Sequence, residues 1–150
     1  MNYNEIIEQL PYSAPFLFVD AITSVSAESI QGEFTYHKDL DFYKGHFKHK
    51  PVTPGVILIE TMAQIGLACF GIYLLKDMDG NAEKIVNFGL TTAMVDFLHP
   101  VFPGEKVTVK ANKRYFRFGK LKCGVQMWNE NNRVVCEGDI SGMIITGRHE

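Results

Sequence analysis

The sequence predicts an α+β domain in which an antiparallel sheet of about six strands wraps around one long central helix. Three observations lead to this fold class. The twenty residues 56–75 are almost entirely apolar and contain a single charge, Glu60. Several other segments alternate apolar and polar residues with the period of two that half-buried strands show. A length of 150 residues with 46% apolar content fits one domain, residues 1–150, with a core of ordinary size.

The remaining elements are assigned in chain order. Asn2 or Asn4 can cap a short first helix, which Pro11 ends. Residues 37–53 are polar and aromatic without a clean period, which indicates a loop. Six apolar or alternating segments are interpreted as strands, with Gly89 as a candidate break in the third: 16–25, 30–36, 85–98, 107–112, 121–128 and 134–144.

The apolar segment 56–75 is also long enough to cross a membrane. Its polar pair, Glu60 and Gln64, lies in the first turns, and Gly66 and Gly71 interrupt it. The segments around it have the pattern of strands in water-soluble proteins. A helix that is apolar on nearly all sides can equally be the buried axis of a domain. We therefore expect a buried helix and no membrane insertion.

Composition excludes several classes of protein. A net charge of -2 with an ordinary apolar fraction argues against a disordered chain, and a pI of about 6.2 argues against a strongly basic nucleic-acid binder. Three cysteines without CxxC spacing argue against a disulfide framework or zinc finger and fit a reducing compartment. Residues 1–10 contain two acids and no basic residue, so we expect no signal peptide and a cytoplasmic protein.

Charge is distributed unevenly along the chain. Residues 106–122 contain seven cations and no acid, whereas the rest of the chain has eight cations against seventeen acids. These cations could form the solvated outer face of two paired strands. Alternatively, they could form a docking surface for an acidic partner.

The start of the apolar helix combines several groups that could perform chemistry. Backbone N–H groups at a helix start carry partial positive charge, so the amides of Gly55 and Val56 are candidate donors to a developing oxyanion. Glu60 lies roughly 7–8 Å further along the axis, at about 1.5 Å per residue, and Gln64 follows on the same face. A carboxylate on an apolar helix is costly to bury unless it is partnered or functional. His46, in the preceding loop, is the obvious acid–base partner.

Each of these residues also has a purely structural interpretation. His46 could be a hydrogen-bonding residue of an aromatic loop, Glu60 could face solvent, and Gln64 could be a buried amide satisfied by backbone groups. His46 and His49 have the spacing of a metal-binding pair. No third ligand is evident nearby, so we expect no metal site.

Three segments together resemble the β-hydroxyacyl-acyl-carrier-protein dehydratases of the FabZ and FabA type. Residues 45–64 read GHFKHKPVTPGVILIETMAQ and resemble the signature of this family. Residues 10–22, LPYSAPFLFVDAI, resemble its opening segment, and residues 97–105, FLHPVFPGE, resemble the turn before its later strands. The spacing from His46 to Glu60 matches the FabZ type, which has Glu where FabA typically has Asp. The resemblance implies the hot-dog fold.

The resemblance also implies an activity. A member of this family would be a hydro-lyase that eliminates water from a 3-hydroxyacyl thioester to give a trans-2-enoyl thioester, in fatty-acid or specialised polyene-type lipid biosynthesis. His46 would be the catalytic histidine, and Glu60 would be the catalytic acid, supplied by the partner subunit of a dimer. No cofactor is implied. The substrate-binding positions would be Gly55, Val56, Gln64 and Phe47.

Partners follow from the same resemblance. The chain would form a homodimer with shared active sites, and three such dimers could assemble into a hexamer. The acyl chain would arrive on the phosphopantetheine arm of an acyl carrier protein. The carrier would dock on exposed cations: Lys48, Arg114, Arg117 and Lys120.

The chain departs from the family pattern in three places, and two other functions stay open. Lys48-His49 stands where the family usually has Pro-Gly, Tyr12-Ser13 replaces a His-basic pair, and Ala21 replaces an Arg. These departures suggest a divergent branch with its own substrate. The alternatives are a hot-dog acyl thioesterase, which would use the same helix start to hydrolyse a thioester, and a non-catalytic acyl-binding subunit.

Overall fold

The computed structural model describes residues 2–79 and 87–145. Within these ranges, six antiparallel strands form one sheet with the order β1-β2-β4-β5-β6-β3. This is the predicted α+β architecture. The strands are β1 (Ala21–Val25), β2 (Ser29–Thr35), β3 (Asn87–Phe97), β4 (Lys106–Arg117), β5 (Lys120–Trp128) and β6 (Val134–Ile145).

The sheet surrounds a central helix that consists of three consecutive parts. Helix α1 (Tyr3–Glu8) is separate and is capped by Asn2, as predicted. The central helix begins as α2 (Gly55–Ala63), continues as a π-helical segment (Gln64–Cys69) and ends as α3 (Phe70–Asp79). By length and composition, Gly55–Asp77 could cross a membrane, but 72% of its apolar window is buried inside the fold. The expectation of a buried helical axis is confirmed.

Two glycines of the central helix allow the sheet to approach it closely. A Cβ atom added at Gly66 would lie 3.0 Å from the Cβ of Ala111 in β4, and one added at Gly71 would lie 2.3 Å from the ring of Phe88 in β3. Both distances are shorter than ordinary side-chain contacts. The glycines that interrupt the apolar segment are therefore the positions where strands and helix touch.

Three assignments made from the sequence need correction. Residues 16–20, of which the first four are apolar, do not form a strand, because the side chain of Gln64 binds the backbone of Phe16 and Phe18. Residues 37–53 include a short 3-10 helix (Asp41–Lys44). Gly89 does not break β3, whose pairing with β6 instead shifts between Leu90 and Thr92; residues 85 and 86 lie outside the described ranges.

Strand β3 is an apolar edge of the sheet. It pairs with β6, and no other strand among the described residues lies on its second side. Met94 on its outer face is 82% exposed and Phe97 is 49% exposed. Ala93 is exposed even though it lies opposite the fully buried Ile140, on the face that is directed toward the helix. An apolar edge strand of this length is a surface on which another chain can pair.

Candidate active site

The loop that carries His46 is held by its own backbone. The N–H of His46 donates to the carbonyl of Phe42 at 3.0 Å, and the carbonyl of His46 accepts from the N–H of Val52 at 2.8 Å. The ring Nδ1 lies 2.9 Å from the carbonyl oxygen of Val52. Since a carbonyl can only accept, Nδ1 carries the hydrogen, and in the neutral imidazole Nε2 is the nitrogen with the lone pair. This is the tautomer that a general base requires.

The ring of Phe47 stacks on the imidazole. The ring centroids are 4.3 Å apart and the planes differ by 22°. Phe47 is largely exposed, so one face of the His46 ring is covered by an apolar group that itself faces outward. The predicted substrate position of Phe47 therefore lies directly beside the predicted catalytic histidine.

The start of α2 presents backbone amides next to this loop. Buried Thr53 fixes the approach, because its N–H donates to the carbonyl of Val101 at 2.8 Å and its hydroxyl bonds to the hydroxyl of Tyr43. The first intrahelical bonds run from Ile57 and later residues to Pro54. The N–H groups of Gly55 and Val56 have no acceptor among the described residues, which is normal for the first turn of a helix.

A cavity of about 340 Å³ lies at the helix start and is lined in part by Gly55. Gly55 lies against the ring of Phe97, and a Cβ atom at position 55 would be 3.2 Å from that ring. The cavity joins the loop of His46, the helix start and the end of β3. Its lining consists of Val52, Thr53, Gly55, Leu58 and the segment Phe97, Leu98, His99 and Pro100.

Gln64 holds the carboxyl group of Glu60. The amide of Gln64 is fully buried, and its Nε2 donates to Glu60 Oε2 at 3.0 Å and to the carbonyl of Phe16 at 3.0 Å. Its Oε1 accepts from the N–H of Phe18 at 2.8 Å. Burial raises the pKa of the Glu60 carboxyl, and the hydrogen bond from Gln64 lowers it in part. Gln64 is thus both a backbone-satisfied buried amide and the support of Glu60.

Two features near Glu60 were not predicted as parts of the site. The π-helical segment begins at Gln64, and such segments are frequent at functional sites. Burial raises the pKa of the Tyr12 phenol, and the charge of Glu60 raises it further, so Tyr12 belongs to the wider surroundings of this carboxyl group. The sequence marked Tyr12 only as a departure from the family pattern, and it contained no signal for the π-helical segment.

No hydrogen bond joins His46 to Glu60 among the described residues. The histidine contacts Val52 and Phe47, whereas the acid contacts Gln64. The two candidate groups thus have separate sets of contacts within one chain, here called half-sites. Across residues 2–79 and 87–145, no three metal-binding side chains gather at one point.

The four predicted docking cations are not one patch on one chain. Lys48 is exposed in the loop of His46, whereas Arg117 and Lys120 flank the β4–β5 hairpin. Strand β4 runs roughly 36 Å from Lys106 to Arg117, at about 3.3 Å per residue, and the hairpin lies at its far end.

Arg114 is bound to Asp139 of β6 at 3.3 Å. Lys106, the first cation of the cluster, likewise pairs with Glu33 of β2 at 3.2 Å, so acids distant in sequence neutralise part of the cluster.

Comparisons with known proteins identify the family of this chain. The family model of the FabA-like domain matches residues 10–140. A 3-hydroxyacyl-[acyl-carrier-protein] dehydratase FabZ from Ehrlichia ruminantium is 35% identical over 112 residues, which is 74% of each chain. A protein of the same description from Ehrlichia canis is 30% identical over 146 residues, 95% of each chain.

Solved structures show the same fold. The dehydratase heterocomplex ApeI:P from Xenorhabdus doucetiae superposes with a TM-score of 0.76 at 16% identity, covering 94% of this chain and 91% of that one. A hypothetical thioesterase with coenzyme A from Streptococcus pneumoniae has a TM-score of 0.60 at 11% identity, covering 85% and 87%. The sheet wrapped on one helix is therefore the hot-dog fold. With a family model that matches most of its length, the chain belongs to the FabA-like family.

Proposed function

We propose that this protein is a 3-hydroxyacyl-[acyl-carrier-protein] dehydratase, a hydro-lyase that converts a 3-hydroxyacyl thioester into a trans-2-enoyl thioester. The observation that carries the proposal is the pairing of two half-sites. One half has an imidazole whose Nε2 is free to accept a proton, beside open backbone amides. The other has a half-buried carboxyl group whose pKa is raised by burial, in the direction that a general acid requires. Elimination of water needs both a base and an acid.

The proposed reaction moves one proton to His46 and one from Glu60. Nε2 of His46 removes the proton on the carbon next to the thioester carbonyl. The negative charge that develops on the carbonyl oxygen is stabilised by the amides of Gly55 and Val56, and one such donor is typically worth about 2.7–4 kcal/mol. Glu60 then protonates the 3-hydroxyl group, the carbon–oxygen bond breaks, and water leaves as the carbon–carbon double bond forms. Phe47 and the 340 Å³ cavity give the acyl thioester an apolar surface beside the imidazole.

Two copies of the chain complete the site in this proposal. The apolar edge of β3 needs a partner, and a second β3 that pairs antiparallel with it would cover Ala93, Met94 and Phe97. Val56 in the first turn of α2 is 73% exposed and would also be covered. In this homodimer, His46 of one subunit acts with Glu60 of the other. A trimer of dimers remains a prediction.

Antiparallel pairing would also bring the separated docking cations together. The β4–β5 hairpin lies at the end of the sheet where β3 begins, since the N–H of Ile144 bonds to the carbonyl of Gly119 and Ile144 pairs with Phe88. The loop that carries Lys48 lies at the other end of β3, since Val52 of this loop bonds to His46 and lines a cavity together with Phe97. Pairing two β3 strands in opposite directions places the hairpin of one subunit at the same end as Lys48 of the other. We infer that the carrier docks across the two subunits.

The cytoplasm is the proposed compartment. Cys69, Cys123 and Cys136 are all buried as free thiols. Burial raises the pKa of Cys123 and Cys136 to about 12, so these thiols are inert core groups that suit a reducing environment.

Replacement of either half of the proposed acid–base pair should abolish dehydration. We expect His46→Ala and Glu60→Gln each to lower kcat by about 10²–10⁴-fold while the fold is retained. The measurement is absorbance of the conjugated enoyl thioester formed from a 3-hydroxyacyl carrier thioester. Glu8→Gln, at an exposed carboxylate of α1, is the matched control. Release of free thiol without enoyl product would instead identify a thioesterase, and full activity in both variants would refute the site.

The hydrogen bond from Gln64 to Glu60 should determine the pH above which activity falls. The proposed acid must be protonated, so activity falls as pH rises through the pKa of Glu60. The hydrogen bond from Gln64 lowers that pKa; Gln64→Leu removes the bond and should move the alkaline limb of kcat to higher pH. A pH–rate profile of both enzymes provides the test. A limb that stays in place or moves to lower pH would show that Glu60 is not the group that titrates.

A charge on the uncovered edge strand should separate the two subunits. Leu90 is half-exposed on β3, so Leu90→Lys leaves the single chain folded but places a charge inside the proposed interface. We expect wild type to sediment at twice the chain mass of 17.0 kDa, or at six times that mass if three dimers assemble, and the variant to lose the paired β3 strands, with kcat lowered at least about 10²-fold because the acid is lost. Thr23→Lys, on the opposite edge strand β1, is the control. An active monomer would contradict the shared site.

A further inference from the structure

The tip of the β4–β5 hairpin exposes an aromatic ring that the fold does not use. Phe118 is 93% exposed, and its φ of 53° is in the left-handed region. Gly119 follows with a φ of 75°. Two-residue hairpin turns of this kind favour Asn-Gly, since a side chain with a bulky Cβ substituent is strained at positive φ. A phenylalanine here therefore gains no packing and makes the turn less favourable.

Cations surround this ring. Arg117 and Lys120 face each other across the hairpin, and Lys122 pairs in register with Tyr115. The guanidinium group of Arg117 lies 4.4 Å from the centre of the Tyr115 ring, which leaves its hydrogen-bond donors available. No ion pair between described residues involves Arg117, Lys120 or Lys122. The tip of the hairpin therefore presents an exposed apolar ring, surrounded by cations that have no acidic partner among the described residues.

We propose that Phe118 is the apolar anchor by which this hairpin holds an acidic acyl carrier protein, and that it selects carrier-linked substrates over coenzyme A thioesters. The proposal rests on the dehydratase function proposed above. In that reaction the acyl thioester is presented either by a carrier or by coenzyme A. The phosphates of coenzyme A can satisfy the cations but offer nothing to cover Phe118. An acidic protein with an apolar cleft satisfies both.

The geometry favours a carrier over an anionic lipid surface. In a dimer formed by antiparallel β3 strands, the two hairpins lie at opposite ends of the assembly. A flat membrane could contact only one of them, whereas each hairpin can hold one carrier beside one active site. Aromatic residues at the centre of a cationic surface commonly dominate binding energy, while the surrounding charges mainly accelerate association.

The test compares kcat/KM for one 3-hydroxyacyl group on carrier protein and on coenzyme A. We expect Phe118→Asn to lower the carrier-to-coenzyme A ratio about tenfold, which corresponds to roughly 1.4 kcal/mol, and Phe118→Leu to retain most of it. Asn is readily accepted at positive φ, so the Tm of Phe118→Asn should not fall. Tyr3→Ser, which removes an exposed aromatic ring from α1, should leave the ratio unchanged.

Each other outcome has a distinct meaning. If wild type dehydrates both thioesters and Phe118→Asn keeps the wild-type ratio, the anchor is wrong and the dehydratase function stands. If wild type forms enoyl product from neither thioester, the proposed function itself fails. Sedimentation with phosphatidylcholine–phosphatidylglycerol vesicles that depends on Phe118, together with an unchanged ratio, would assign the hairpin to lipid and overturn the proposal.

Discussion

The buried amide of Gln64 is the interaction on which the candidate site depends. A carboxyl group on an otherwise apolar helix is unfavourable in the interior unless a partner compensates it. Gln64 supplies that partner and, through Phe16 and Phe18, ties the helix to the loop before β1. Loss of the amide would leave buried backbone groups unpaired, at about 1–3 kcal/mol each. The same residue therefore stabilises the fold and sets the protonation of Glu60.

A second constraint is the incomplete surface of the single chain. Most apolar side chains of the central helix and of the other strands are buried, whereas Leu90, Met94 and Phe97 of β3 and Val56 in the first turn of α2 are exposed. Part of this exposed surface lies at the helix start beside the loop of His46, because Phe97 of β3 lies against Gly55. Covering the edge and completing the active site are thus the same event in the proposed dimer. In the proposed dimer, a change that weakens the subunit interface should therefore also lower the rate of dehydration.

Much of the fold and part of the site could be predicted from the sequence. Segment 56–75 is apolar enough to be a core helix, and residues such as Val107 and Val109 alternate with polar neighbours, so local patterns were sufficient there. Residues 16–20 were assigned wrongly because a side chain distant in sequence, Gln64, takes the hydrogen bonds that a strand would use. Tertiary partners of this kind leave no local pattern.

At the candidate site, too, residue types and spacing could be read from the sequence, whereas contacts between distant segments could not. His46, Glu60 and Gln64 were chosen as candidates by residue type and spacing, and the structure adds the contacts of each. The position of Tyr12 in the wider surroundings of Glu60, the π-helical segment and the separation of Lys48 from the β4–β5 hairpin depend on how distant segments pack. The acids that neutralise Arg114 and Lys106 come from other strands, which the charge count of one segment could not reveal.

Mixing two inactive variants tests the shared active site most directly. His46→Ala and Glu60→Gln are unfolded together, refolded as random dimers and assayed for enoyl thioester. Heterodimers contain one site with both native groups, so the account predicts recovery of about a quarter of the wild-type rate, given random pairing of identical interfaces. If His46 and Glu60 acted within one chain, no mixture could regain activity, and a mixture as inactive as its components would contradict the account.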